Sequence, residues 1–305
     1  EQGRNKGFHG LDRNMVRNRT SHCAILTPDF HPFARRTMSP TPAPTARRRR
    51  VQSAETGMAI LKALARLGGA ASLTSLAQAV AESTAKVHRY LASMVEEGLV
   101  VQDAASQRYV LGPEAIHIGL AALRQCDPIR AGEPALLRLQ AELGVTCFLA
   151  VMGNHGPTIL RIEEPPLPVV VNVRAGSVLP LLWSATGQAF LGWLSGDAID
   201  QQAQADWAAA GAAQRAQLAE AAPSEPPVDA LRRRVRAQGC ATVRDLLTAG
   251  ISAVAAPILQ HDGHVVAVLT ALGASGGFDP APGGRIAGRV VQEAGEISRA
   301  LGWVE

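Results

Sequence analysis

The sequence predicts two folded domains: an all-α-rich winged helix-turn-helix domain, then an α+β domain with an antiparallel sheet. Three observations carry that expectation. The stretch STAKVHRYLASMVEEGLVV at 83–101 has helical apolar spacing and ends on a glycine and a β-branched run. The stretch ISAVAAPILQHDGHVVAVLTAL at 251–272 is two apolar runs joined at Asp262 and Gly263, a strong hairpin signal. The chain is 305 residues long, more than a single core usually serves.

Residues 1–50 hold eleven Lys/Arg and three Asp/Glu, a net +8, whereas the remainder holds nineteen and twenty-three, a net −4. Low hydrophobicity, the Pro-rich run starting at Ser39 and four arginines at 47–50 predict a disordered basic tail. It lacks the apolar core of a signal peptide, and Met38 is a candidate natural start. The arginine run suits phosphates or a minor groove, and equally suits a solvated tail with no defined partner.

The first domain is expected at 51–112. Residues 56–67 are amphipathic and supply its first helix; 72–80 read as a shorter one, with Ser72 as N-cap. Ser83 opens the next, whose apolar series is Val87, Leu91, Met94 and Val95. Its first turns instead carry Thr84, Ala85, Lys86, His88 and Arg89. The short turn between the two helices is the layout of a helix-turn-helix, whose second helix enters the major groove. Gly98 closes that helix, and 99–102 and 108–111 flank a polar turn as the strands of a wing. A generic helical core with a basic solvated face is the competing reading.

Thr84, Ala85 and Lys86 occupy a helix start, where side chains and free amides face base edges or phosphates. His88 and Arg89 follow on adjacent faces, and Arg89 can fork onto guanine or clamp a phosphate. Ser72 and Thr74 are phosphate candidates by the same helix-terminus logic, and Arg108 suits the backbone. Tyr90 reads as a packing residue. Residues 51–124 hold six Lys/Arg and six Asp/Glu, so binding must rely on dimerisation and local clustering.

A linker helix is expected at 113–126, led by Gly112-Pro113-Glu114, and Asp127-Pro128 opens a second domain at 127–305. There, 129–143 reads as a helix ending at Gly144, with strands at 146–152 and 158–162 and an extended run at 169–173. A helix at 184–194 precedes an Ala/Gln/Arg-rich helical stretch at 205–236, broken by Pro223 and Pro226-Pro227. Strands at 251–259 and 264–272 and a closing helix at 286–301 complete an order without strict alternation, hence α+β.

No apolar run reaches the ~18 residues of a membrane span. Cys23, Cys126, Cys147 and Cys240 are scattered, which fits reduced thiols in a cytoplasmic protein and argues against zinc. Ser184 with His155, or His261 and His264 beside Asp262, lack a triad signature, a nucleophile elbow or a metalloprotease helix. No phosphate loop or dinucleotide fingerprint occurs either. The expectation is therefore no catalytic residue, no metal and no cofactor.

From about residue 53 to 302 the chain resembles the IclR family of bacterial transcriptional regulators. The resemblance lies in AKVHRYLASMVEEGLV and RYVLGPEAIHIGLAAL, then VRAGSVLPLLWSATGQAFLGWL, AGISAVAAPI and HDGHVVAVL, in that order. It implies a winged helix that binds operator DNA as a homodimer, a C-terminal domain that binds a small effector, often a carboxylic acid, and assembly into a dimer of dimers. By the same resemblance, Trp183-Ser184-Ala185-Thr186-Gly187-Gln188 is where a strand turns into a helix. The amides of Ala185 and Thr186 would receive a carboxylate, helped by the helix dipole and the Ser184 hydroxyl; plain capping by Ser184 stays open. The facing positions depart from the family pattern. Val243 stands where some members carry Asp, Ala253 where Cys is common and Leu272 where Ser is common, while Thr270 keeps a hydroxyl. Apolar walls suit a larger, aromatic or aliphatic carboxylate, with Trp183 as a stacking surface. The expected function is DNA-binding transcriptional regulation under a small-molecule carboxylate. The alternative is a ligand sensor whose winged helix contacts proteins rather than DNA.

Overall fold

The structure is a computed structural model that describes residues 51–166, 173–220 and 226–304; the basic tail, residues 169–172 of the extended run and Pro223 lie outside them. In the first domain α1 (Gln52–Arg66) leads to β1 (Ala70–Ala71), α2 (Leu73–Ala79), α3 (Thr84–Glu96), β2 (Val100–Gln102) and β3 (Tyr109–Leu111). Ser72 caps α2 through Ser75 N at 3.1 Å, and Ser83 caps α3 through Lys86 N at 3.3 Å. Val87, Leu91 and Met94 are buried with Ile60, Leu64 and Leu76 in one small core. Val95, expected in that series, is 41% exposed. It lies about 100° round the helix from Met94, off the buried stripe. Gly98 ends α3 at φ 71°, and β2 pairs antiparallel with β3 as the wing. β1 also pairs with β3, an unexpected third strand of two alanines.

Next, α4 (Pro113–Leu123) buries none of its residues; Ile116, Ile118 and Leu120 are 59%, 60% and 47% exposed. The second domain begins with α5 (Pro128–Leu143), capped by Asp127 and ended by Gly144 at φ 64°. Then come β4 (Thr146–Gly153), β5 (Gly156–Glu163), α6 (Ala185–Trp193), α7 (Asp197–Ala209), α8 (Ala212–Glu220), α9 (Pro227–Gln238), β6 (Ala241–Arg244), β7 (Ile251–Leu259), β8 (Val265–Ala274) and α10 (Arg285–Ala300). The strands form one antiparallel sheet in the order β5-β4-β8-β7-β6. β6 was not anticipated, and α7 starts before the expected helical stretch, after Gly196 at φ 125° and with Asp197 and Asp200 in its first turn.

Alternate residues divide this sheet between two cores. Cys147, Leu149, Val254, Ala256, Leu269 and Ala271 pack with α5 and α10. Phe148, Ala253, Ala255, Val268 and Leu272 face the α6 side with Phe190, Leu231 and Val235. The α5–α10 layer is locked by Glu293, whose side chain is 2% exposed and lies between two guanidinium groups. Arg138 bonds both its oxygens, at 2.6 and 3.2 Å, and Arg289 bonds Oε1 at 2.9 Å. Burial alone would raise the Glu293 carboxyl, but the two arginines outweigh it and hold the group below the usual carboxylate value.

A carboxyl depressed in the fold stabilises fully above its unfolded value, and that stability is lost as pH falls through the folded value. Glu293→Gln should therefore destabilise the protein by about 2 kcal/mol at neutral pH, less than a fully buried pair because both arginines reach solvent. The gap between parent and variant in urea unfolding should close as the pH drops through the acid range; a gap independent of pH would refute the coupling.

Candidate functional site

On α3, the buried side is Val87, Leu91 and Met94; Ala85 and Arg89 face away from it, His88 lies to the side, and Thr84 continues the buried stripe into the first turn, where it and the other three are all exposed. Lys86 is half-buried and its Nζ lies 2.6 Å from Glu82 Oε1, so this cation has a neighbouring counterion. Tyr90 packs against the small core, as its spacing suggests. A shallow depression runs beside this face, lined by Lys86, Arg89, Tyr90 and Ser93. Thr74 is exposed at the start of α2, whereas the Ser72 hydroxyl is engaged by Ser75 N and Oγ. Arg108 is exposed, but its Nη2 donates to Ala70 O at 2.7 Å and braces the wing onto β1. The wing turn is tightened by Asp103, whose Oδ1 accepts from the Ser106 hydroxyl and amide. Those bonds hold the Asp103 carboxyl below its ordinary value.

In the second domain a cavity of about 200 Å³ lies between the sheet and the start of α6. Strand register explains its back wall. Val243 on β6 pairs with Ala253 on β7, which pairs with Leu272 on β8, so three of the expected residues form one cross-strand row. The next row on the same face is Ala255, Thr270 and Phe148. Thr270 Oγ1 meets Thr186 Oγ1 at 2.9 Å, which ties the sheet to the first turn of α6. Ser184 is the α6 N-cap: its Oγ accepts from Gly187 N at 2.9 Å and donates to Pro180 O at 2.7 Å. That hydroxyl is thus committed to capping. Ala185 and Thr186 line the cavity, and their amides, at the first two helical positions, have no acceptor within the helix.

Trp183 does not belong to that lining. Its ring stacks on Trp207 with centroids 6.2 Å apart, and its Nε1 donates to Asp206 O at 3.2 Å. Being 5% exposed and held on both counts, it offers no stacking face to a ligand, contrary to expectation. The front is supplied instead by residues that the sequence reading did not select: Val173, Leu179, Leu247, Thr248 and Ile251, with Phe148 behind them. Leu247 and Thr248 sit in a loop pinned by Asp245, whose Oδ1 accepts from Gly250 N at 2.8 Å and from Ser275 Oγ at 2.7 Å. No pattern of apolar period marks such a loop; only its return to the sheet brings it over the cavity. Among the described residues, none that lines the cavity is charged, and none forms a cluster suited to a metal ion.

Comparison with known proteins finds a family for both parts of the chain. A family model for the IclR helix-turn-helix domain matches residues 53–104, and one for the bacterial transcriptional regulator IclR C-terminal domain matches residues 120–299. The crystal structure of Pseudomonas aeruginosa HmgR is similar at 38% identity and TM-score 0.74, covering 83% of this chain and 99% of that one. The Agrobacterium tumefaciens repressor BlcR shares the fold at 17% identity and TM-score 0.66, covering 84% and 99%. The transcriptional repressor IclR of Escherichia coli (strain K12) is 28% identical over 54% of this chain and 61% of its own length. The chain thus spans less than two thirds of that curated relative.

The segment before α6 is a turn, not the strand that the resemblance implies, and α6 approaches it most closely at Gly187, where a Cβ would fall 2.3 Å from Leu181 O and 2.4 Å from Pro180 O. Both are backbone atoms and cannot swing aside. Gly187→Ala should destabilise the protein by about 3 kcal/mol in denaturant unfolding, at the upper end of overpacking costs, because the helix must shift off the Thr186–Thr270 contact. A neutral effect would mean that α6 does not sit this tightly on the 180–182 backbone.

Proposed function

The chain belongs to the IclR family of bacterial transcriptional regulators, and on that footing we propose that it binds operator DNA as a dimer and answers to a small carboxylate. The observation that carries the first half is the exposed start of α3, where Thr84, Ala85, His88 and Arg89 all reach solvent and Ala85 and Arg89 point away from its core residues. The natural division is 51–112 for DNA, 113–126 for the linker helix and 127–305 for the effector. The apolar, unburied surface of α4 supports pairing of two copies and, with further contacts, a dimer of dimers. The cavity supports the second half. It offers the two first-turn amides of α6 and the helix dipole to an anion, and no acidic side chain to repel one. Its walls of Phe148, Val243, Ala253, Ile251 and Leu272 favour an aromatic or aliphatic body over a very small keto acid.

Lys86→Ala with Arg89→Ala should weaken binding to the promoter fragment upstream of its own gene, with little change in thermal melting. Most of the loss should fall on Arg89, since Lys86 is already paired with Glu82; a bidentate base contact is worth about 1–3 kcal/mol. Parent binding should also fall with added salt. Unchanged affinity in the double variant, or no salt dependence, would leave the winged helix as a protein-contact module instead.

For the effector, thermal stabilisation of the full chain would be compared across aromatic, aliphatic and keto acids and their amides. A carboxylate that stabilises the parent should fail with Thr186→Asp, which sets a like charge at the amides, and with Ala253→Leu, which fills the cavity. Equal stabilisation of all three proteins would place the ligand elsewhere. Stabilisation by the amides alone would refute the carboxylate reading.

A further inference from the structure

A second recess, of about 310 Å³, shares Val243 with the first cavity but has the opposite chemistry. Its wall is mostly polar: Gln188 from α6, Gln217 from α8, Arg234 and Gln238 from α9, and Thr242 and Arg244 from β6. Two groups in it stand out. Gln188 is 1% exposed, and its Nε2 donates to Leu182 O at 2.8 Å. A carbonyl can only accept, so that bond fixes the amide orientation and leaves Oε1 as the end without a partner. An acceptor left unpaired in a dry interior is costly, and native structures seldom keep one without a reason. The other group is Arg234, half-buried, for which no ion pair or hydrogen bond is found among the described residues, whereas Arg232 on the same helix pairs with Asp200. Burial without a counterion pulls the Arg234 guanidinium below its usual value.

An acceptor and a cation that have no partner among the described residues, both on one recess of ligand size, define a complementary molecule. We propose that this recess is a second small-molecule site for a hydroxy- or amino-carboxylate, its carboxylate on Arg234 and its O–H or N–H donating to Gln188 Oε1. Arg244 at the rim is exposed and bonds Asp279 Oδ1 at 3.4 Å, so a second carboxylate there would compete with that residue. The site does not depend on what the first cavity binds.

Calorimetric titration of the full chain with L-malate, L-lactate and L-serine tests it, with succinate as the control that lacks only the hydroxyl of malate. At least one of the three should bind, and malate should bind more tightly than succinate. Arg234→Gln should weaken binding about tenfold or more, the scale of a charged hydrogen bond. Gln188→Met should erase the preference of malate over succinate, and Ala253→Leu, in the other cavity, should change nothing. No binding by any of the three would overturn the proposal, with water the only guest. Equal binding of malate and succinate, or full affinity in Arg234→Gln, would overturn it as well, even if the Met variant did not fold.

Discussion

Side chains along a strand point alternately to opposite faces, and in the five-stranded sheet that parity separates mechanical from receptive residues. Cys147, Leu149, Val254 and Leu269 go to the α5–α10 layer, where Glu293 and its two arginines close the contact. Their neighbours Phe148, Ala253, Thr270 and Leu272 go to the cavity. A shift of register by one residue would exchange the two sets and abolish both. The same division governs thiol chemistry. Burial pushes the Cys147 thiol up to about 12, and it sits on the structural face, away from the cavity. It therefore stays protonated and inert at neutral pH.

Much of this was legible in the sequence. Strong periodicity and glycine stops located α3, α5, β7, β8 and α10, because each buries a long stripe that dictates residue type over several turns or pairs. β1 and β6 escaped because two and four residues are too few for alternation to register, and Ala70–Ala71 has no β-branched character. Their existence is decided by partners distant in sequence, β3 for one and β7 for the other. The cavity residues named from the family resemblance converge, apart from Trp183. Its indole lies next to Ser184 in sequence, but it is turned toward Trp207 on α7, and only tertiary packing determines that choice.

The recognition surface shows the same limit. Sequence separates most exposed from buried positions on α3 by one helical period, although Val95, read as part of the buried series, lies outside it. It does not reveal which cations are already engaged. Lys86 is drawn to Glu82 four residues earlier, and Arg108 to the carbonyl of Ala70, thirty-eight residues away. Contacts to DNA by either group would have to compete with these partners, so fewer of the domain's cations are unengaged than the sequence suggests.

The entry to α6 is held by another helix. Asp206 on α7 accepts from the amides of Leu181 and Leu182 at 2.6 and 3.0 Å, and the Trp183–Trp207 stack fastens the next residue to the same helix. Three successive residues thus take their coordinates from α7, and Ala185 and Thr186 follow directly after Ser184. The position of the cavity's doorway is therefore set by α7, through one carboxylate and one aromatic stack that lie just upstream of the two amides.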